Sequence, residues 1–259
     1  MDLGIMGRRA IVAASSQGLG KACAFALALE GCDVFINGRH GEKLKATATE
    51  ISESTGAVVV PIVADITTEA GRDRLLASCP SVDILVTNNS GPPPGTLKDW
   101  DHAAWISAIE ANMLAPALLI RAVVPGMIER RFGRIVNITS AMVKAPLSMM
   151  GLSTAARMGL TALCKAVSRD VAEHNVTINN LLPERIDTDR QRFMAEKIVK
   201  DDGISYVEAR QQIVNTVAAK RFGLPEEFGA ACAFLCSAKS GFISGQNLQI
   251  DGGSYPGVV

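Results

Sequence analysis

Eight residues near the start of the chain, Ala13-Ala-Ser-Ser-Gln-Gly-Leu-Gly20, have the composition of a turn that could hold a phosphate. Gly18 and Gly20 would let backbone approach a pyrophosphate, and the helix expected to follow would present its N–H groups to the negative charge. Leu19 lies between the two glycines, and Ser15, Ser16 and Gln17 could add side-chain donors. A second feature stands at the end of the next apolar run, Val34-Phe-Ile-Asn-Gly-Arg39. An acidic residue there would hold a ribose 2′-hydroxyl; Arg39 instead suits a 2′-phosphate, favouring NADP(H) over NAD(H). Asp65, followed by Ile66, is placed to accept from an adenine amino group. Asn88-Asn89-Ser90-Gly91 could brace the sheet edge and line a cofactor channel, and Pro183, Ile186 and Thr188 fall where a nicotinamide amide would lie. All these residues follow strand candidates, and ligands of open α/β sheets bind at the carboxyl ends of strands.

The elements that must position them follow from apolar patterning. Strands are expected at Arg9–Ala14, Asp33–Asn37, Val58–Val63, Asp83–Thr87, Arg134–Ile138, Thr177–Leu182 and Asn247–Ile250. Helix-like stretches alternate with them: Gly18–Glu30, Gly41–Ser54, Glu69–Ser78, Trp105–Arg131, Ser153–Glu173 and Pro225–Cys236. This alternation predicts an α/β fold, a single-domain Rossmann-type doubly wound parallel sheet of about seven strands with helices on both faces. The charged segment 187–221 interrupts the rhythm and is expected to be a helical substrate lid within the one domain, 1–259.

The bulk properties narrow the function classes. In 259 residues, 26 basic and 26 acidic side chains balance, so neither nucleic acid nor an anionic membrane is expected as a partner. No apolar run is expected to span a membrane, and the opening residues show neither a long apolar core nor a cleavage site. Six dispersed cysteines without a CxxC pair are expected to be buried thiols, consistent with a cytoplasmic location. His40, His102 and His174 are scattered and show no metal-ligand spacing, so no metal site is expected.

Together the glycine turn, Asn88-Asn-Ser-Gly91, Asn112, Gly133-Arg-Ile-Val-Asn-Ile-Thr-Ser140 and the ending Asp251-Gly-Gly253 resemble the short-chain dehydrogenases/reductases. The branch most resembled is that of the 3-oxoacyl-acyl carrier protein reductases. The resemblance implies a seven-stranded Rossmann sheet, a homodimer or homotetramer, and hydride transfer between a nicotinamide and a small carbonyl or alcohol substrate.

The family's catalytic residues are Asn, Ser, Tyr and Lys. By resemblance Asn112 and Ser140 supply the first two, supporting the local helix with a water and polarising the substrate oxygen. At the Tyr-x-x-x-Lys position the chain reads Ser153-Thr-Ala-Ala-Arg157. A phenol is far more acidic than a serine hydroxyl, and a permanently protonated arginine relays no proton. Ser153 is then a weak hydroxyl donor and Arg157 holds the nicotinamide ribose. A relocated acid could come from Lys144, Glu184 or Tyr206. The alternatives are a catalytically silent NADP(H)-binding protein and a non-redox enzyme like the halohydrin dehalogenases. The family's Thr-Gly pair is Ala13-Ala14 here, and Ala14 is expected to fit if its φ stays negative.

Overall fold

The computed structural model describes residues 1–258. Among them seven strands form one sheet: β1 (Arg9–Val12), β2 (Asp33–Gly38), β3 (Val59–Val63), β4 (Ile84–Thr87), β5 (Gly133–Ile138), β6 (Val176–Pro183) and β7 (Asn247–Ile250). Their order is β3-β2-β1-β4-β5-β6-β7, and every neighbouring pair is parallel. The seven expected strands are all present, β7 with the expected bounds and the others with ends displaced by at most two residues.

Both faces of the sheet are covered, so its strands are apolar at successive positions. Ala10, Val12, Val34, Ile36, Ile84 and Val86 pack on one side under α1 (Gly18–Leu29), α2 (Gly41–Thr55) and α9 (Pro225–Cys236). The alternate residues Ile11, Leu85 and Ile135 point the other way. They meet α3 (Glu69–Ser78), α5 (Ala115–Glu129) and α6 (Gly151–Val171). A row of buried amides ties the later strands together: Asn137 Nδ2 donates to Asn180 Oδ1 at 3.0 Å, and Asn180 Nδ2 to Asn247 Oδ1 at 2.8 Å. The six cysteines are all buried and free. Burial pushes the Cys32 and Cys164 thiols up to about 12, so they are inert structural groups.

The expected helix Trp105–Arg131 is different in detail. It begins as α4 (His102–Ile109), widens into a π turn over Glu110–Leu114, and continues as α5. The whole stretch His102–Glu129 is long and apolar enough to cross a membrane by composition, contrary to the reading that no run was. Its apolarity has a local cause. Leu119, Ile120, Val123 and Met127 pack into the core against the sheet.

Segment 187–221 folds as α7 (Asp189–Asp202) and α8 (Tyr206–Asn215), with a small core of its own around Ala195, Ala209 and Ile213.

Candidate active site

The strand order reverses between β1 and β4, which opens a crevice at their carboxyl ends. The glycine turn follows β1 into one side of this crevice and Asn88–Gly91 follows β4 into the other. Gly20 is fixed by close packing. A Cβ there would stand 2.5 Å from the Ala14 carbonyl oxygen and 2.9 Å from Asn88 Nδ2. Gly18 has φ +57° and open space outward, with only the Thr188 side chain at 3.9 Å from a notional Cβ. Gln17 precedes α1 without a side-chain cap, and no acidic residue occupies the first turn. The leading N–H groups of Gly18, Leu19 and Gly20 are thus open to an anion.

Three expectations about this turn need correction or detail. Ala14 has φ +45°, not negative. Its neighbours hold it there: Asn88 Nδ2 donates to its carbonyl at 3.0 Å, and its N–H reaches Asn37 Oδ1 at 3.3 Å. Ser15 offers no side-chain donor. Its buried hydroxyl donates to the Val12 carbonyl at 2.7 Å and accepts from the Asn37 N–H at 3.0 Å. It shapes the turn from inside, because a hydroxyl has only one proton to give. Gln17 is exposed, and its Oε1 accepts from Lys43.

Asn37 was not picked out from the sequence. It is buried and joins three strands, its Nδ2 donating to the carbonyls of Ile62 and Ala64 at 3.1 and 3.0 Å. A side-chain amide at this point donates twice on the β3 side and accepts from the turn, one donation more than a hydroxyl could make. Two residues on, Arg39 is exposed and makes no hydrogen bond among the described residues. Beside it, the Ser16 Oγ lies 3.4 Å from a notional Cβ on Gly38. Lys43, in the first turn of α2, adds a second cation on this side and donates to Gln17 of the glycine turn. Together they suit a 2′-phosphate. Asp65 closes this side. Burial would raise its pKa, but hydrogen bonds from Thr67 and the charge of Arg39 outweigh that and hold it below its ordinary value. Ile66 is buried in the core beside it.

Across the crevice the widened turn of the α4–α5 helix carries Asn112. Its buried amide donates to Ala108 O at 3.3 Å and to Ser90 O at 3.4 Å, while Asn89 Nδ2 donates to Ala111 O at 3.1 Å. The π turn therefore docks on the loop after β4, a frequent use of such bulges at functional sites. Ser140 caps the turn after β5, where its Oγ accepts from the Met142 N–H at 3.2 Å and keeps its own proton.

Ser153 and Arg157 are brought together, one helical turn apart at the head of α6. Arg157 is 8% exposed and Ser153 2%. The guanidinium donates to the Ser153 Oγ through Nη1, and Nη2 reaches the Asn89 carbonyl at 3.5 Å. Burial first, and then the charge of Arg190, push the Arg157 pKa down to about 10, which leaves it charged at neutral pH. An Nη1 atom 3.3 Å from a notional Cβ on Gly91 explains the small residue there. No hydrogen bond joins Ser140 to this pair among the described residues.

The relocated acids fare unequally. Tyr206 lies at the start of α8, and Lys144 Nζ sits over the Tyr255 ring at 5.5 Å. Glu184 is partly buried beside Arg185, and that burial raises its pKa. Pro183 ends β6, Ile186 is buried against Gly223, and Thr188 precedes α7 without a side-chain cap, its side chain 3.9 Å from a notional Cβ on Gly18.

Comparison with known proteins decides the family. A family model described as Enoyl-(Acyl carrier protein) reductase matches residues 13–255. The chain belongs to the short-chain dehydrogenase/reductase family. It is 31% identical over 256 residues to the NADPH-dependent reductase BacG of Bacillus subtilis, covering 97% of this chain and 99% of that one. It is 27% identical over 260 residues to the 3-oxoacyl-[acyl-carrier-protein] reductase FabG of Aquifex aeolicus, covering 98% of this chain and all of that one. Among solved structures, the L-sorbose reductase of Gluconobacter frateurii, in complex with NADPH and L-sorbose, superposes with TM-score 0.94 at 28% identity over the full length of both chains. This short-chain dehydrogenase/reductase is an oxidoreductase built on the doubly wound sheet that its sequence implied.

Proposed function

We propose that the protein is an NADP(H)-dependent reductase interconverting a carbonyl and an alcohol, with Ser153 and Arg157 in the family's Tyr and Lys positions. The observation that carries this reading is the buried Arg157–Ser153 hydrogen bond. A serine that accepts from a guanidinium has its own proton to give, and the fixed positive charge favours the oxyanion left behind.

The cofactor reading rests on the cradle: open N–H groups at the head of α1, a Gly20 with no room for a methyl, and an unpaired Arg39. Gly18, Leu19 and Gly20 would hold the pyrophosphate, Arg39 and Ser16 the 2′-phosphate, Asp65 and Ile66 the adenine. Asn89, Ser90, Gly91, Pro183, Ile186 and Thr188 would line the nicotinamide half. The hydride for the carbonyl carbon would come from NADPH when bound. The chain's part is the proton. Ser140 donates a hydrogen bond to the carbonyl oxygen, Ser153 delivers its proton to that oxygen directly or through one water, and Arg157 steadies the serine oxygen until solvent reprotonates it. Asn112 acts by holding the loop after β4. Since a hydroxyl sits one bond from Cβ and a phenol's lies across a ring, the substrate must enter deeper or the water must bridge.

Segment 187–221 is read as the lid over the crevice. Exposed apolar residues on the adjoining helices, Ile106, Leu114, Met158 and Leu163, support a homodimer or homotetramer.

The test is NADPH oxidation by the purified protein across a panel of ketones, aldehydes and oxo acids. We expect turnover, and a fall of about 10²- to 10⁴-fold in kcat for Ser153→Ala with NADPH affinity retained. The double variant Ser153→Tyr, Arg157→Lys should exceed the wild type. NADPH binding without oxidation across the panel would overturn the reductase reading.

A further inference from the structure

The head of α6 is tied to the loop after β4 at two points, one on each side of Ser153 in the helix. Behind the serine, Arg157 Nη2 reaches the Asn89 carbonyl at 3.5 Å. Ahead of it the tie is an indole. A Cβ on Gly151, the first residue of α6, would stand 2.5 Å from Trp100 Cζ3 and 2.6 Å from Cη2. Gly151 has φ −52°, a helical value open to any residue, so what the glycine supplies here is room for the ring. Gly95 makes room for the other side of the same ring, where a Cβ would lie 2.7 Å from Nε1. The Gly95 N–H also donates to the Met149 carbonyl at 2.9 Å, which joins the loop after β4 to the segment leading into α6.

Several local devices hold this one side chain. Trp100 stands between two capped turns: Asp99 accepts from the Thr96 N–H and hydroxyl, both at 2.7 Å, and Asp101 accepts from the Ala104 N–H at 2.8 Å. Pro92, Pro93 and Pro94 restrict φ on the approach to Gly95. The Trp105 ring meets Trp100 edge to face, with centroids 6.0 Å apart. Yet Trp100 is only partly buried and belongs to none of the three apolar clusters among the described residues. Covering the sheet therefore does not account for it. What the indole touches is the loop that carries Asn89 and Gly91 and the helix that carries Ser153 and Arg157.

We infer that Trp100 is a positioning residue: its indole, wedged between Gly95 and Gly151, locks the head of α6 to the loop after β4 and so fixes where Ser153 stands against the substrate oxygen. The serine oxygen is one bond beyond Cβ, so a shift of the helix passes to it undiminished. The inference rests on the reductase reading for the role of Ser153, while the lock itself can be tested apart from turnover. The experiment measures NADPH oxidation with the best carbonyl substrate of the panel, and amide hydrogen exchange over residues 151–157. Trp100→Phe, whose ring stops short of Gly151, should lower kcat about tenfold to hundredfold, since a misplacement of about 1 Å has effects on that scale. NADPH affinity should hold. Gly151→Ala, which drives a methyl into the indole, should lower kcat too. The double variant, whose methyl fills the space left by the shorter ring, should recover most of the loss. In a Ser153→Ala background Trp100→Phe should cost little more, because no hydroxyl remains to be placed. Exchange at the head of α6 should rise in Trp100→Phe and fall back in the double variant. An unchanged kcat in Trp100→Phe overturns the inference. So does a loss of the same size with and without the Ser153 hydroxyl, which marks a merely structural role. Faster exchange that the double variant reverses, in a protein that never oxidises NADPH, supports the lock while the reductase reading fails.

Discussion

The two sides of the crevice solve their problems with different parts of the chain. On the β1 side the proposed binding falls to the backbone: open N–H groups, a left-handed Gly18, and a Gly20 with a carbonyl oxygen where a methyl would go. Side chains there, Ser15 and Asn37, face inward and shape the turn. At the head of α6 the backbone is an ordinary helix, and everything depends on the Ser153 and Arg157 side chains. A backbone site can change its side chains and keep its geometry, which is why Ala13-Ala14 can stand where the family has Thr-Gly. A side-chain site changes its chemistry with each substitution, and in the proposed mechanism this one works with a guanidinium-assisted hydroxyl in place of a phenol.

The comparison breaks most visibly if Gly20 can be filled. Gly20→Ala puts a methyl 2.5 Å from backbone that β1 and Asn88 hold in place. Overpacking of this kind costs about 1–3 kcal/mol. Expressed in the turn, that is roughly a tenfold to hundredfold loss of NADPH affinity, read by fluorescence titration, with a lowered Tm. Unchanged affinity in a folded variant would mean that the turn is not the cofactor's cradle.

Arg39→Leu sharpens the same side with a smaller effect. Losing a charge-assisted hydrogen bond of about 1.5–3 kcal/mol should weaken NADPH binding by at least about tenfold. NADH, which has no 2′-phosphate, should bind as before. Parallel titrations decide it; an equal loss for both cofactors would place Arg39 elsewhere on the nucleotide.

Much of this was legible beforehand, for physical reasons. Strands covered on both faces read as unbroken apolar runs, so all seven could be found, and glycines at a strand-to-helix turn announce backbone approach. What escaped was of another kind. Asn37 and Ser15 act through hydrogen bonds between strands far apart in sequence, which no local pattern encodes. The π turn at Asn112 follows from docking on the loop after β4, and its flanks read as one continuous apolar helix. That same apolarity hid a stretch of membrane-like composition, because burial against a sheet asks for the same residues.

The smallest effect concerns Ala14, and it tests whether the backbone side is truly indifferent to its side chains. At φ +45° an alanine is in the left-handed region, at a cost of about 1–2 kcal/mol. Glycine would remove that cost but adds about 0.5–1 kcal/mol of chain entropy lost on folding. Ala14→Gly should therefore gain roughly 0.5–1 kcal/mol of stability, visible as a raised urea midpoint with an unchanged slope. NADPH affinity should stay the same, because Asn88 and Asn37 hold the peptide groups on either side of residue 14. A variant that binds NADPH more tightly would show that Ala14 strains the cradle itself, and the β1 side would then depend on a side chain much as the α6 side does.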